Sequence, residues 1–392
     1  MRILITGSTY APAFNGQSIF TTNLAEGMAR RGHEVWVLLP FPKGKPYREE
    51  RNGVHIRAVS AIEISFFHSE AYTSTFPGAE VRRFMKDFKA DIVHLQDHYP
   101  LSVSVMFRAR RSKIKLVGTN HFMPENLLPY IPLAPVFKPV LNRIMWEWMK
   151  FTYNRLDVAV APSKTAAEII RKQKMRIPVH AISCGVSLQR FHPDQGVDRK
   201  AFRLRYGLDP QRTTFLFVGR VDGEKRVDVL IRAIKALKRD DIQLAVTGKG
   251  AALPDLQALA QDLKVEDLVR FTGFVPDADL PALLNSIDIF AMPSEAELLS
   301  IASLEAMATA RPILAANSKA LPELVTDGVN GYLFKPGSVS DAMRCMALLA
   351  DHPEQWPAMG AASLEKVQPH SLENMLTSYE QLYQQLLEKG NI

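Results

Sequence analysis

Short apolar runs alternate with helix-length segments from one end of this chain to the other, and the alternation runs through twice. RILITGS (2–8), EVWVLLP (34–40), VHIRAV (54–59), DIVHLQ (91–96), KLVGTNH (115–121), VAVAPS (158–163) and VHAIS (179–183) have the near-continuous apolar character of strands buried on both faces. Between most of them lie segments such as SIFTTNLAEGMARRG (18–32), which ends on a glycine suited to a helix C-terminus. The pattern restarts with TFLFVGR (214–220), QLAVTGKG (243–250), VRFTGFV (269–275), IDIFAMP (287–293) and PILAAN (312–317). Such alternation predicts α/β architecture, with parallel sheets covered by helices on both faces. Two doubly wound, Rossmann-like domains are expected, facing a cleft: residues 1–183, and 197–369 after a linker at 184–196 that is marked by Gly185, Pro193 and Gly196. Residues 370–392 begin with an amphipathic helical pattern expected to pack back on the first domain.

The 392 residues exceed what one core usually serves. Two cysteines without a CxxC pair offer neither a zinc site nor a disulfide framework. The opening apolar run stops at Thr6, too short for a secretory leader, and no run of eighteen apolar residues occurs. A cytoplasmic location is expected. Net charge is +7 and unevenly spread: residues 1–180 hold 26 Lys and Arg against 14 Asp and Glu, and the remainder 22 against 27. A basic first half suits an acidic partner, whether a phosphate-bearing substrate, an anionic membrane or nucleic acid; an ordinary solvated surface reads equally well.

Ligands of open parallel sheets bind outside the carboxyl ends of the strands, and the polar motifs stand there. FNGQS (14–18) follows the first strand, where Gly16 lets the backbone approach an anion at a helix start. The full dinucleotide fingerprint is absent. In FVGRVDGEKRVDVL (217–230), Arg220 ends a strand while Lys225 and Arg226 open a helix. Cations there oppose the helix dipole, a conflict that a bound diphosphate resolves. VTGKGAALPDL (246–256) places Gly248 in a loop suited to a nucleotide pocket. EAELLSIASLE (295–305) carries Glu295, Glu297 and Glu305 in an apolar setting, with a helix beginning near Leu299 and Ser300 in its first turn. Buried carboxylates need partners, and two of them about two turns apart suit polyhydroxylated groups. His98 in LQDHYP (95–100) and His121 in GTNHF (118–122) also end strands. DAD (277–279) has metal-motif spacing but is read as helix capping, and no metal is expected.

Together these residues resemble the retaining glycosyltransferases of GT-B fold, family 4, group 1, which include phosphatidylinositol mannosyltransferases, sucrose synthases and glycolipid synthases. The likeness spans nearly the whole chain. It is most specific over 214–337, through FVGR, EKR, GKG, the Glu-x7-Glu spacing of Glu297 and Glu305, LEAMA and ELVTDGVNGYLF. The resemblance implies that Arg220 and Lys225 hold the diphosphate of a nucleotide-sugar and Glu305 accepts from its ribose. Glu297 then contacts sugar hydroxyls, Gly16 offers its amide to the phosphates, and the helix start at Leu299 and Ser300 presents amides to the leaving group. His121 lies by the transferred sugar. No cofactor is implied, since the nucleotide-sugar is a substrate. The chain departs from the family where Leu298, Leu299 and Ser300 follow Glu297, a stretch that often reads Gly-Phe-Gly or Ser-Phe-Gly. It also has Ala310 where glycine is usual.

The implied reaction retains configuration, with negative charge growing on a diphosphate stabilised by Arg220, Lys225 and nearby amides. The acceptor side is expected in the first domain, near Asp97, His98, Phe66 and Trp146. APVFKPVLNRIMWEWMKFTYNRLD (134–157) is apolar nearly all round, consistent with a core helix or with an interfacial helix whose aromatics enter a headgroup layer. RARRSKIK (108–115) adds positive charge that can meet anionic lipid. The combination looks most like diacylglycerol glucosyltransferases docked on the inner face of the cell membrane, using UDP-glucose. GDP-mannose with phosphatidylinositol, a soluble acceptor, a UDP-sugar epimerase of this fold and a non-enzymatic membrane-surface protein are the alternatives. No RNA-recognition, helix-turn-helix or zinc-finger signature supports nucleic acid as a partner.

Overall fold

The apolar runs form strands where the sequence places them, and the order in which those strands pair sets where ligands can bind. The computed structural model describes residues 1–11, 15–41, 47–63, 72–73, 77–128, 131 and 134–389. Ten strands belong to the first part of the chain: β1 (Arg2–Thr6), β2 (Glu34–Phe41), β3 (Arg48–Arg51), β4 (Val54–Ser60), β5 (Ile62–Glu63), β6 (Tyr72–Thr73), β7 (Ile92–Leu95), β8 (Lys115–Thr119), β9 (Val158–Ala161) and β10 (Val179–Ala181). Eight of them form one sheet in the order β10-β9-β8-β7-β1-β2-β4-β3, parallel except for β3; β5 and β6 make a separate short pair. A second sheet holds β11 (Thr213–Val218), β12 (Ile242–Thr247), β13 (Val269–Gly273), β14 (Ile289–Met292), β15 (Ile313–Ala316) and β16 (Gly331–Phe334). It is parallel throughout, in the order β13-β12-β11-β14-β15-β16.

Four strands are not among the apolar runs: the short pair β5 and β6, and β3 (REER) and β16 (GYLF). Of these, β3 and β16 are edge strands of the two large sheets. An edge needs less apolar surface, and charges such as those of β3 discourage pairing with another chain.

The chain divides into two compact units, Met1–Cys184 with Asn374–Ile392, and Gly185–Glu373. Within the first, β1 lies between β2 and β7, so the winding reverses at β1/β7. Within the second, β11 lies between β12 and β14, and it reverses at β11/β14. Each reversal leaves a crevice beyond the carboxyl ends of its two strands.

Residues 185–196, expected as a linker, are built into the second unit. Phe191 is buried, and Asn285 accepts from the Asp194 amide at 3.0 Å while donating to the His192 carbonyl at 3.0 Å. Asp288 and Arg203 form a buried ion pair at 2.7 Å that fastens helix Arg199–Arg205 to the start of β14. The last helix, Leu372–Lys389, packs in the first unit once past Glu373. Gly27 permits that approach, since a Cβ there would come within 2.4 Å of the Leu376 side chain. Arg31 and His33 clasp Glu380 of the same helix at 2.8 and 2.7 Å.

Candidate functional site

In the second unit the loops after β11 and β12 pack directly on each other. Gly248 has φ +133°, and a Cβ there would lie 1.9 Å from the Gly219 carbonyl oxygen. The backbone amide of Val221 donates to the Lys249 carbonyl at 2.8 Å. The glycines of the Gly-Lys-Gly loop are therefore required by this close approach, which holds the segment carrying Arg220. Arg220 donates to Asp222 at 2.5 Å and to Glu224 at 3.0 Å.

The 3-10 turn Gly223–Lys225 continues into helix Val227–Leu237 through Arg226, which is left-handed at φ +52°. Arg226 pairs with Glu295 at 2.6 Å, and the Glu295 amide reaches the Glu224 carbonyl at 3.4 Å. The loop after β14 is thereby laid against the turn after β11. As a result Lys225 Nζ meets Glu297 Oε1 at 2.6 Å and Glu224 Oε1 at 3.6 Å. Burial pushes the Lys225 pKa down, but Glu297 and Glu224 outweigh it and leave the ammonium above its ordinary value.

The following helix is Ile301–Ala308, two residues later than the sequence pattern suggests. Ser300 caps it, accepting from the Ser303 amide at 3.2 Å. Its φ is −90°, so serine sits without strain where the family often has glycine. Ala310, by contrast, does occupy the left-handed region at φ +57°, just past the helix end. Glu305 is buried, and among the described residues its carboxylate has neither a hydrogen bond nor an ion pair. Burial pushes its pKa up to about 8, against the lowering pull of Arg190, with Asp277 adding to the rise.

In the first unit the corresponding strand ends carry polar groups that mostly pair with one another, although Thr6 Oγ1, Tyr10 OH, Ser18 Oγ and Gln96 Nε2 are buried without a partner among the described residues. Asp97 Oδ2 accepts from the Ser8 amide at 2.5 Å; Oδ1 accepts from the Tyr99 amide at 3.1 Å and the Ser102 hydroxyl at 2.6 Å. These bonds tie the end of β1 to the end of β7. His94, within β7, is held by the Tyr383 hydroxyl at 2.6 Å and the Thr119 hydroxyl at 2.7 Å. His121, two residues past β8, meets Gln96 Oε1 through Nε2 at 2.9 Å, and its ring leans on Phe20 with centroids 4.7 Å apart. Burial lowers the pKa of both histidines to about 3, so both are neutral near pH 7. Gly16 is exposed in the first turn of helix Gly16–Arg30, which Asn15 caps by accepting from Ser18 N at 2.9 Å.

Comparison with known proteins assigns the chain to a family. Residues 14–190 match "Glycosyltransferase Family 4", and residues 198–363 match "Glycosyl transferases group 1". A D-inositol 3-phosphate glycosyltransferase of Actinosynnema mirum is 31% identical over 395 residues, covering 93% of this chain and 92% of that one. The chain belongs to the family 4, group 1 glycosyltransferases. An alpha-monoglucosyldiacylglycerol synthase of Streptococcus pneumoniae is 25% identical over 339 residues, 85% of this transferase and 75% of the relative. Among solved structures, sucrose-phosphate synthase from Thermosynechococcus elongatus superposes with TM-score 0.81 over 99% of both chains, at 18% identity. That likeness shows the fold, a GT-B pair of Rossmann-like domains.

The transferase brings Arg220, Lys225, Glu297, Leu299, Ser300 and Glu305 to the carboxyl side of the β11/β14 reversal, with the Gly248 loop beside them. The structure places four further positions, and overturns the capping role expected of Asp277–Asp279. Trp146, expected toward the acceptor, is turned into the first unit and donates to Glu125 at 2.8 Å. Asp97 is fully engaged in tying strands together, as its three short bonds require. The Asp277–Asp279 side chains cap nothing: Asp277 pairs with Arg190 at 2.7 Å, and Asp279 accepts from Tyr206 at 2.8 Å. His98 has its ring buried against Tyr99 and Phe122, while its carbonyl takes the Trp148 N–H at 3.0 Å. Phe66 lies outside the described residues. Sequence reasoning passed over Asp222, Glu224, Gln96 and the Tyr379–Tyr383 pair. The first three stand inside or beside the quoted motifs, and attention to every polar residue at a strand end finds them.

Proposed function

We propose that this glycosyltransferase moves a hexose, glucose foremost, from a UDP-sugar to a membrane lipid such as 1,2-diacylglycerol, with retention at the anomeric carbon. One observation carries the donor half: a partly buried ammonium, Lys225, sits between two carboxylates beside Arg220, one helix away from the buried Glu305, which has no partner among the described residues. Arg220 and Lys225 are the cations for the diphosphate. When it binds, Lys225 exchanges a carboxylate for phosphate oxygens, and Glu297 becomes available to sugar hydroxyls. Glu305 takes the ribose hydroxyls, which supply the hydrogen bonds its carboxylate lacks.

In the reaction, the bond from C1 to the diphosphate oxygen breaks and a bond from C1 to the acceptor oxygen forms on the same face. The acceptor proton passes to the departing diphosphate. Arg220 and Lys225 meet the charge that grows there, and cations already held in place by ion pairs need little reorganisation to do so. No metal takes part in this scheme. His121, neutral and oriented by Gln96, offers a hydrogen bond to a sugar or acceptor hydroxyl without adding charge.

The lipid acceptor draws support from the Streptococcus relative, whose name describes a glucosylated diacylglycerol, and from the basic first half of the chain. The test is turnover with diacylglycerol in anionic vesicles, offered UDP-glucose, UDP-galactose, UDP-N-acetylglucosamine or GDP-mannose, with mass spectrometry of the lipid. A hexosyl-diacylglycerol from UDP-glucose is the expected result. Product with GDP-mannose alone, or only with an inositol acceptor, replaces the donor or acceptor named here.

A further inference from the structure

Helix Lys138–Tyr153 has two apolar faces, and among the described residues only one of them is packed into the fold. Trp146, Met149 and Tyr153 are buried in the first unit. On the other side Val140 is 58% exposed, Ile144 59%, Trp148 44% and Phe151 37%, while Phe137 in the preceding turn is 56% exposed. Spacings of three and four residues put these on one stripe. The Trp148 and Phe151 rings stack at 5.5 Å, and Phe107 of helix Pro100–Arg111 extends the stripe with its ring 6.1 Å from Phe151. Trp148 spends its N–H on the His98 carbonyl, so its remaining exposed surface is apolar. Thirteen large hydrophobic residues are exposed among the described residues, and these six are among them. Scattered exposed apolar residues are ordinary, whereas a contiguous strip marks an interaction surface.

The surroundings identify the partner. Residues 100–155 contain nine Lys or Arg and two Asp or Glu. Of the two acids, Glu147 is paired with Lys150 at 2.5 Å and Glu125 accepts from Trp146. Arg155 lies over the Phe151 ring at 3.6 Å, and Arg110 reaches the Arg155 carbonyl. An apolar strip edged with cations fits a surface that is apolar in depth and anionic at its rim. A second copy of this chain fits poorly, because a two-fold contact sets the same basic face against itself. No described helix is long and apolar enough to cross a membrane, so the contact is peripheral.

We propose that the Phe137–Phe151 stripe with Phe107 is a docking face for an anionic bilayer, its apolar side chains entering the headgroup layer while the flanking Lys and Arg meet lipid phosphates. It deepens the lipid-acceptor function proposed above and gives that function a place to act.

The experiment is vesicle co-sedimentation of the full chain and of a Val140→Glu/Ile144→Glu variant, with UDP affinity and melting temperature as controls. Wild type is expected to bind phosphatidylglycerol-containing vesicles in low salt and to lose most of that binding in roughly 0.5 M salt or on phosphatidylcholine alone. The variant is expected to lose roughly tenfold or more in partitioning while keeping UDP affinity. Equal binding by variant and wild type, or equal wild-type binding to neutral vesicles, overturns the proposal. So does a lipid-free dimer that the variant dissociates, which gives the face to a second copy. If the variant misfolds, quenching of tryptophan emission by brominated lipid, compared between wild type and Trp148→Phe, decides instead; no difference between them overturns it. Vesicle binding without glycolipid product retains the docking face and refutes the acceptor. Glycolipid made in detergent by a variant that no longer binds vesicles supports both.

Discussion

The two units wind their sheets the same way and reverse direction at a central strand, yet they furnish the two crevices differently. At β1/β7 most polar groups pair with one another: Asp97 takes three donors, His94 is fixed by Tyr383 and Thr119, and His121 meets Gln96, while Thr6 Oγ1, Ser18 Oγ and Gln96 Nε2 are buried without a partner among the described residues. At β11/β14 the groups are charged and paired through contacts a ligand can exchange, and one carboxylate, Glu305, has no partner among the described residues. Hydroxyls, amides and neutral imidazoles offer hydrogen bonds without adding charge. A site held by exchangeable ion pairs carries stored charge that an anionic ligand can claim. Under the proposed function, the same topology serves orientation in one unit and diphosphate capture in the other.

Lys225→Ala is the largest test of that contrast. It removes the cation between Glu224 and Glu297, and kcat/KM for the donor should fall roughly a hundredfold or more. A loss under threefold would mean the second unit's charges are structural, like those of the first.

Glu305→Gln should weaken UDP binding by roughly tenfold, read by calorimetry. Its effect on stability has the opposite sign. Because the folded carboxyl is raised to about 8 from an ordinary 4.5, the folded state holds its proton where the unfolded state has released it. Stability is thus lost as pH rises from about 4.5 to 8. The glutamine variant should melt several degrees higher than wild type at pH 8, with the gap closing toward pH 4.5. No gap at pH 8 would show that Glu305 is already partnered, erasing the difference between the crevices.

Gln96→Ala removes the group that orients His121. Transfer should slow roughly tenfold while UDP affinity and melting temperature stay near wild type, and Gln96→Glu should restore part of the rate. Unchanged transfer would mean His121 needs no orientation.

Tyr383→Phe should have the smallest effect. It leaves one buried nitrogen of His94 without its partner, costing about 1–2 kcal/mol of stability. Denaturant unfolding measures that, and the donor KM should not move. A shifted KM would tie the last helix to the donor crevice.

Much of this was legible in the residues alone. Twelve apolar runs gave twelve strands, because a strand buried on both faces must be apolar along its length wherever it pairs. The charged residues of the second crevice were legible because they follow strands and open helices, where anion binding is a local property of backbone and dipole. Edge strands β3 and β16 were not, since an edge need not be apolar. The pairing of Lys225 with Glu297, 72 residues away, was not either, because it depends on β14 lying beside β11. Nor could the sequence distinguish Trp146 from Trp148. On a helix apolar all round, periodicity carries no direction, and only packing against Met149's and Tyr153's neighbours turns one indole inward and leaves the other outside. The sequence by itself determined the elements, the two-fold restart and the kinds of chemistry at the strand ends. The tertiary structure decided which charges meet, which polar groups are satisfied and which apolar face is left to solvent, because each depends on strand order and helix rotation rather than on neighbours along the chain.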